Sequence, residues 1–361
     1  MSNRFLVGTR KGLFTFERAS DSRWRIVRTD FLGDPVTMVL PMPDGRPYAA
    51  LNLGHFGSKL RRLGGAGKWE ECAVPAFPAV KDGGENAPAV MQIWSLERGD
   101  PDGRTLWAGT IPGGLFRSRD GGGSWQLMES LWNRPEREEW MGGGYDQPGI
   151  HSICVDPRDP GRLALAVSTG GVWTTSDQGA TWECRGKGLR AAYMPAGRAF
   201  DPLVQDVHRL VQCPARPDVY WAQHHNGIFR STDDAANWEE IADAPLSTFG
   251  FAVAVHPRDP DTAWFVPAVK DETRIPVDAK LAVMRTRDGG RRFEVLRRGL
   301  PQEHAYDLVY RHGLDIDDSG DRLAMGSTTG GLWLSEDQGD TWQNLSSHMP
   351  PIYCVRFTNG G

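Results

Sequence analysis

The stretch SRDGGGSW (residues 118–125) joins a run of polar residues and glycines to a terminal tryptophan, a side chain that proteins usually bury. Four further octets follow the same pattern, [ST]-x-D-x-G-x-[ST]-W, or a close variant of it. They are TSDQGATW (175–182), STDDAANW (231–238), TRDGGRRF (286–293) and SEDQGDTW (335–342). STDDAANW lacks the glycine, and TRDGGRRF ends in arginine and phenylalanine. The chain is therefore built from repeats.

The aromatic ends of the octets lie at positions 125, 182, 238, 293 and 342, at spacings of 49 to 57 residues. Two weaker copies precede them, GKWEEC around Trp69 and DSRWRIV around Trp24, which keep the aromatic residue but not the aspartate or the glycine. The chain thus contains seven repeats. A period of this length is typical of propellers and solenoids.

The fourth repeat shows the strand pattern of all seven. HSICVDP, RLALAVS, GVWTTSD and TWECRG are short β-prone runs, and turn residues such as RDPG and DQGA separate them. Four strands repeated seven times predict an all-β fold, a seven-bladed β-propeller with four-stranded antiparallel blades. We expect residues 1–361 to form this propeller as a single domain.

Each octet is predicted to join the third and fourth strands of its blade. The aspartate carboxylate and the Ser or Thr hydroxyl would bond backbone N–H groups of the hairpin, and the glycine would adopt the turn conformation. The aromatic side chain would then pack beneath the turn. We therefore interpret the octet aspartates as structural residues.

The two chain ends are predicted to meet in the first blade. RFLVGT (4–9) corresponds to a second strand, so the first blade lacks its innermost strand. PIYCVRFTNGG (351–361) is a strand with no repeat after it, and we expect it to fill that place. This pairing would remove an exposed sheet edge.

Composition excludes several classes of function. The net charge is −5 with both signs interspersed, which argues against a nucleic-acid surface. No apolar run approaches the length of a membrane span, and MSNRFLVGTRKGLF lacks an apolar signal core. The five scattered cysteines show no CxxC spacing, so they indicate reduced thiols. We expect a cytoplasmic protein that binds neither nucleic acid nor membranes.

The octets resemble the Asp-box, or BNR, repeats of the sialidase superfamily. The whole chain resembles a family of bacterial BNR-repeat, exo-sialidase-like proteins of about this size, through VGTRKGLF (7–14), HSICVDPRDP, HNGIFRS (225–231) and FGFAVAVHPRDPDT. The resemblance implies a propeller. It does not define the chemistry, since glycosidases, sorting receptors and photosystem assembly factors carry similar boxes.

Sialidase activity is not expected from this resemblance. True sialidases have six blades, an arginine triad, a Tyr–Glu nucleophile pair, an Asp acid/base and an early F-R-I-P motif. Here the one RIP sequence, Arg274-Ile275-Pro276, lies in the sixth repeat, and we interpret it as chance. Xyloglucanase-type enzymes have similar boxes but pair two propellers in one chain.

Propeller ligands usually bind on the face where the innermost strands begin. Three long segments are expected on that face: residues 127–150, 184–206 and 266–280. Long loops on a rigid scaffold are commonly functional, although decoration or a dimer contact would also account for them.

Aligning the repeats places one residue of each blade at the start of its innermost strand. These ring positions are Thr37, Trp94, His151, His208, Phe251, His312 and Tyr353. Three imidazoles at equivalent positions suit a divalent metal, with His151, His208 and His312 as its ligands. The alternative is a set of histidines that bridge waters in a polar channel.

The remaining candidates lie on the same loops. We predict catalytic roles for His151, His208, Asp146 and Glu303, because imidazoles and paired carboxylates move protons. The predicted ligand-binding residues offer aromatic faces, imidazoles or cationic groups: Trp94, Trp140, Tyr145, Arg190, His224, His225, Phe251, Lys270, His304 and Tyr306.

Three functions fit these residues. The first is an enzyme or binding protein that takes a small carbohydrate-like or anionic ligand in a pocket lined by histidines and aromatic residues. The second is a non-catalytic propeller that binds a protein partner, and the third is a metal-dependent, lyase-type enzyme. Perturbed carboxylates and a closed pocket favour the first, and a broad apolar or arginine-rich surface without a pocket favours the second. Bound metal at His151 and His208 favours the third. Whether the protein is an enzyme stays open at this point.

Overall fold

The seven repeats fold into seven four-stranded antiparallel sheets, in a computed structural model that describes residues 1–79 and 88–358. The innermost strands are β4 (Val36–Leu40), β8 (Gln92–Arg98), β12 (Ile150–Val155), β16 (Val207–Cys213), β20 (Gly250–Val255), β24 (Leu314–Ile316) and β28 (Ile352–Phe357). The second strands are β1 (Arg4–Thr9), β5 (Tyr48–Asn52), β9 (Leu106–Ile111), β13 (Leu163–Val167), β17 (Arg216–His224), β21 (Ala263–Pro267) and β25 (Leu323–Gly326).

The outer half of each blade contains a third and a fourth strand. The third strands are β2 (Gly12–Arg18), β6 (Ser58–Leu63), β10 (Leu115–Ser118), β14 (Gly171–Thr175), β18 (Gly227–Ser231), β22 (Val283–Thr286) and β26 (Leu332–Ser335). The fourth strands are β3 (Trp24–Asp30), β7 (Trp69–Cys72), β11 (Gln126–Leu127), β15 (Glu183–Cys184), β19 (Glu239–Ile241), β23 (Glu294–Leu296) and β27 (Gln343–Ser346).

Helix is confined to short turns in the loops. One α-helical turn, α1 (Glu129–Trp132), and the 3-10 turns Gly54–Phe56, Pro135–Glu139, Pro202–Val204 and Val277–Ala279 occur in the described residues. The helical segments seen in residues 1–79 and 88–358 fall short of the length and apolar character that a membrane-spanning helix requires.

The innermost strands form a closed ring around the axis. Each contacts the innermost strands of both neighbouring blades, in the order β28, β4, β8, β12, β16, β20, β24 and back to β28. The seven-bladed propeller predicted from the repeats is therefore confirmed.

Strand β28 closes the first blade as predicted. It pairs antiparallel with β1, so that Phe5 lies opposite Phe357 and Val7 opposite Val355. All four side chains are buried. The contact joins the two ends of the chain and covers the inner edge of β1, which would otherwise be free to pair with another molecule.

The octet hairpins have the predicted hydrogen bonds, as the box at residues 175–182 shows. The carboxylate of Asp177 accepts hydrogen bonds from the backbone N–H of Thr181 at 2.9 Å and from the Thr175 hydroxyl at 2.7 Å. The Thr175 hydroxyl in turn accepts from the N–H of Gly179 at 3.0 Å, where φ is +83°. Trp182 packs beneath the turn with 5% of its surface exposed.

Six of the seven ring positions share one backbone feature, a β-bulge where the innermost strand meets the second strand. The pairing register skips Thr37, Trp94, His151, His208 and Tyr353, and it skips Phe251 together with Ala252. A bulge leaves one residue unpaired and re-aims its side chain. His312 differs, because it precedes β24 and forms an isolated bridge with Cys354.

Candidate functional site

A cavity of about 760 Å³ opens at the end of the ring where the innermost strands begin. Its wall contains five of the seven ring positions: Thr37, Trp94, Phe251, His312 and Tyr353. Segments 143–145 and 310–311, which lead to innermost strands, also line it, as does Arg274 from the loop between β21 and β22. The rest of the wall consists of Arg10, Asp34, Pro35, Asn52, Leu53, Gly54, Phe56 and Gln92. The cavity therefore lies on the face expected from the sequence. It will be called the central cavity.

Arg311 is the most unusual side chain in this wall. Only 7% of its surface is exposed. Its Cζ lies 4.9 Å from the ring centroid of Trp94 and 5.4 Å from that of Phe251. Its Nε and Nη2 atoms have no hydrogen-bond partner, and no carboxylate of the described chain lies within ion-pair distance. Burial lowers the pKa of Arg311, because a desolvated guanidinium is less stable.

The charge of the described cavity wall is positive. Arg10 and Arg274 line it together with Arg311, whereas Asp34 is the one carboxylate in the described lining. Arg274 is held by the carboxylate of Asp271 at 3.0 Å, with its Cζ 5.3 Å from the ring centroid of Phe251. Three guanidinium groups facing one carboxylate favour an anionic ligand over a cationic one.

Aromatic rings form two edge-to-face pairs on the wall. The ring of Tyr145 lies 5.2 Å from that of Trp94, and the ring of Tyr310 lies 5.1 Å from that of Phe251. Tyr145 keeps 45% of its surface exposed. The cavity thus combines flat apolar faces with fixed cationic groups, which is the usual composition of a small-molecule site.

Of the three predicted ring histidines, His312 lines the cavity and His151 does not. His151 is fully buried, with its ring 5.3 Å from that of Trp94 and its Nδ1 3.0 Å from the Ser152 hydroxyl. Burial is the main cause that holds the pKa of His151 well below its ordinary value, and the positive charge of Arg311 acts in the same direction. The imidazole is therefore neutral. His312 Nδ1 lies 3.3 Å from Nη2 of Arg356.

His208 belongs to a second group beside the cavity. Its ring stacks on Phe251 with centroids 4.3 Å apart, and its Nε2 lies 3.6 Å from Oδ2 of Asp206. The same carboxylate oxygen lies 3.4 Å from Nδ1 of His225. One ligand atom from each of these three residues lies within 4.8 Å of the others. We call this group, Asp206, His208 and His225, the blade-5 cluster.

The blade-5 cluster contains one of the predicted metal ligands and two residues outside that set. His151 and His312 do not belong to it. Burial raises the pKa of the Asp206 carboxyl, but His208 and His225 outweigh burial, so its pKa lies well below the ordinary value. Asp206 is therefore a buried carboxylate facing two imidazoles.

Several predicted site residues lie outside the central cavity. Trp140 is buried against Trp173 at 5.8 Å and anchors its loop, and Arg190 pairs with Glu240 at 2.8 Å. Lys270 is exposed beside Glu272, and Asp146 is an exposed loop residue.

The other predicted residues also do not line the cavity. Glu303 is exposed, and His304 and Tyr306 line a separate depression with Trp333 and Asn344. His224 is fully buried, accepts a hydrogen bond from the N–H of Asn226 at 3.0 Å, and has its pKa lowered to about 3 by burial.

Two arginines of the cavity wall, Arg311 and Arg274, are not among the site residues predicted from the sequence. A signal for Arg311 was present, because it directly precedes the ring position His312 in VYRHGLDI. A charged residue beside a channel position is worth testing as a ligand-binding group. The position of Arg274 depends on the path of a long loop, which the strand pattern does not define.

No family model matches the chain. A xyloglucanase of a Paenibacillus species is 24% identical over 200 residues, which are 48% of this chain and 18% of the relative. An oligoxyloglucan-reducing end-specific xyloglucanase of Emericella nidulans is 24% identical over 215 residues, 56% of this chain and 24% of the relative. The chain therefore spans about a quarter or less of the curated relatives that it matches.

Solved structures share the propeller fold at low sequence identity. An ancestral GH74 enzyme is 15% identical with a TM-score of 0.60, over 86% of this chain and 38% of the other. YCF48 bound to a D1 peptide is 15% identical with a TM-score of 0.50, over 85% of each chain. At these identities the likeness shows the fold alone.

Proposed function

We propose that the protein binds a small acidic carbohydrate in the central cavity, with the guanidinium of Arg311 holding the acidic group of the ligand. The observation that carries the proposal is the state of Arg311. A guanidinium that is more than nine-tenths buried and has two nitrogen atoms without a hydrogen-bond partner pays a desolvation cost that a bound carboxylate would offset.

The size and the composition of the cavity support a ligand of this class. Its volume of about 760 Å³ lies in the range of sites for small molecules. Trp94 and Tyr145 offer ring surfaces for the apolar face of a sugar, while Thr37, Asn52 and Gln92 on the wall offer hydroxyl and amide groups for its hydroxyls. The partial likeness to two xyloglucanases supports a carbohydrate as the ligand.

We propose that the cavity binds its ligand, and we do not propose that it hydrolyses a glycosidic bond. Hydrolysis of a glycosidic bond by the usual route needs two carboxylates across the bond. The described lining supplies Asp34 alone, since Asp146 and Glu303 lie elsewhere. The cavity does supply groups that would bind an anion and a sugar ring.

Calorimetric titration of matched ligand pairs tests the proposal. Glucuronate and galacturonate are compared with glucose and galactose, which carry a hydroxymethyl group in place of the carboxylate. We expect an acidic sugar to bind about tenfold or more tighter than its neutral partner, because a charge-assisted pair is worth about 1.5–3 kcal/mol. Equal affinities, or no binding by either acid, would contradict the proposal.

Two arginine variants make the test specific. Arg311→Met removes the buried guanidinium, whereas Arg190→Met removes a guanidinium that is paired with Glu240 outside the cavity. We expect the first variant to lose the preference for the acid and the second to keep it. Matching thermal unfolding curves would show that both variants are folded.

A further inference from the structure

The blade-5 cluster is built from one blade and is held by its backbone. Asp206 directly precedes β16, His208 is the ring position of that strand, and His225 lies in the turn between β17 and β18. The backbone N–H of His225 donates to the carbonyl oxygen of Asp206 at 2.9 Å. This backbone bond fixes Asp206 and His225 relative to each other.

The hydrogen bonds of His208 leave one ring nitrogen directed at the carboxylate. Nδ1 lies 2.7 Å from the carbonyl oxygen of Gly250, an acceptor, so Nδ1 carries the proton. In the neutral ring Nε2 then carries a lone pair and no proton. This nitrogen lies 3.6 Å from Oδ2 of Asp206. Two lone pairs that face each other in a buried place repel, and either a proton on Nε2 or a metal ion between the two atoms removes the repulsion. A backbone carbonyl behind a histidine is also the usual support of a metal ligand.

The carboxylate of Asp206 also has an oxygen that makes no hydrogen bond. Asp206 is 7% exposed, and its Oδ1 has no hydrogen-bond partner. Gly143 packs against this oxygen so closely that a Cβ at that position would lie 3.2 Å from it. A buried, unpartnered carboxylate oxygen beside two imidazoles is a second observation that indicates a ligand at this place.

The distances suit a metal ion. Ligand bonds of about 2.0–2.2 Å in a tetrahedral site separate the ligand atoms by about 3.4 Å. Oδ2 of Asp206 lies 3.4 and 3.6 Å from the two ring nitrogens. The side chain of His225 is 21% exposed, so solvent reaches the cluster on this side.

We infer that Asp206, His208 and His225 bind one divalent transition-metal ion. Two imidazoles and one carboxylate are ligands that zinc and iron(II) accept, and three protein ligands leave positions for water or a ligand. This site goes beyond the proposed recognition of an acidic sugar. It also differs from the ring set of His151, His208 and His312, with which it shares one residue.

Titration with zinc alone tests the site and leaves the sugar proposal untouched. Tag-free, full-length protein is freed of metal with a chelator and titrated with Zn²⁺ by calorimetry, with Co²⁺ absorption as a second readout. We expect one ion per chain and a visible band from bound Co²⁺. Failure of the wild-type protein to bind one ion would overturn the inference.

Matched histidine variants locate the ion. His225→Gln changes the most exposed ligand, and His304→Gln changes an exposed histidine in a separate depression. We expect His225→Gln to weaken zinc binding by about tenfold or more and His304→Gln to leave it unchanged. Unchanged binding by His225→Gln, or equal loss in both variants, would overturn the site.

Asp206→Asn supplies an independent check, since it keeps the size of the side chain and removes its charge. Loss of zinc binding with a retained melting transition supports the site. Binding equal to wild type would contradict it. His151→Gln separates the two ligand sets, because it should keep the ion in the blade-5 cluster and lose it if the ring histidines are the ligands.

Discussion

The guanidinium carbon of Arg311 lies 4.9 Å from the ring centroid of Trp94, on the wall of the central cavity. The ring holds the cation at the cavity wall while leaving its Nε and Nη2 unpartnered. The pair therefore presents a fixed positive group next to a flat apolar face. This arrangement suits the proposed recognition of an acidic sugar.

Trp94→Leu is expected to weaken binding of an acidic sugar. The substitution removes a cation–π contact worth about 0.5–2 kcal/mol and the surface on which a sugar ring would rest. We expect a loss of affinity of several-fold or more by calorimetry. Phe56→Ala, at the 69% exposed rim of the same cavity, is the control and should have a smaller effect. A larger loss in the rim variant would argue against this position for the ligand.

Deletion of residues 352–361 is expected to give an insoluble or unfolded protein. It removes β28, which supplies the innermost strand of blade 1 and buries Val355 and Phe357. The edge of β1 would then be open to pairing with other molecules. Yield of soluble protein and size-exclusion profiles measure the effect. Deletion of residues 359–361 alone should leave both unchanged, and a soluble monomer from the longer deletion would show that closure is dispensable.

Asp177→Ala is expected to lower the melting temperature by a few degrees. The side chain accepts hydrogen bonds from Thr175 and from both the backbone and the hydroxyl of Thr181, and such bonds contribute about 1 kcal/mol each. Asp102→Ala, at an exposed turn position, serves as the control and should shift the transition little. Equal shifts in the two variants would mean that the box carboxylate is not structural.

Asp315 provides a pH-dependent prediction at the opposite end of the channel. Burial raises the pKa of Asp315 from 3.8 to about 6, although Arg356 acts in the other direction. A carboxyl group whose pKa is higher in the folded state makes folding less favourable as the pH rises from about 4 to 6. Asp315→Asn cannot ionise, so it avoids this loss of folding stability. Its amide oxygen can still accept the hydrogen bond from the N–H of Phe357.

We therefore expect Asp315→Asn to be more stable than wild type at pH 7.5 by about 1–3 kcal/mol, with a gap that narrows at pH 4.5. Urea unfolding at the two pH values measures the gap. A gap that is constant or that widens at low pH would contradict the prediction.

The fold was predictable because its signals are local. The octet at residues 118–125 encodes its own hairpin, and its repetition gives the number of blades without any long-range contact. The place of β28 followed from counting strands, because a closed ring leaves one position vacant. The bulges at Thr37, His151 and His208 show that counting within a repeat also locates ring positions.

The site was less predictable because side-chain direction depends on contacts between blades. Trp140 and Tyr145 lie in one loop and have the same type of side chain, yet one packs in the core and the other lines the cavity. The spacing of Asp206 and His208 is visible in the sequence, but their contact with His225 depends on the pairing of β16 with β17. Arg311 was missed because its burial results from Trp94 and Phe251, which belong to other blades.

A crystal structure of the protein with glucuronate or galacturonate, whichever binds tighter, tests the central claim most directly. We expect the carboxylate of the sugar to lie in the central cavity within hydrogen-bonding distance of the Arg311 guanidinium, with the sugar ring against Trp94 or Tyr145. A carboxylate bound elsewhere, or a sugar in the cavity with its carboxylate turned away from Arg311, would contradict it.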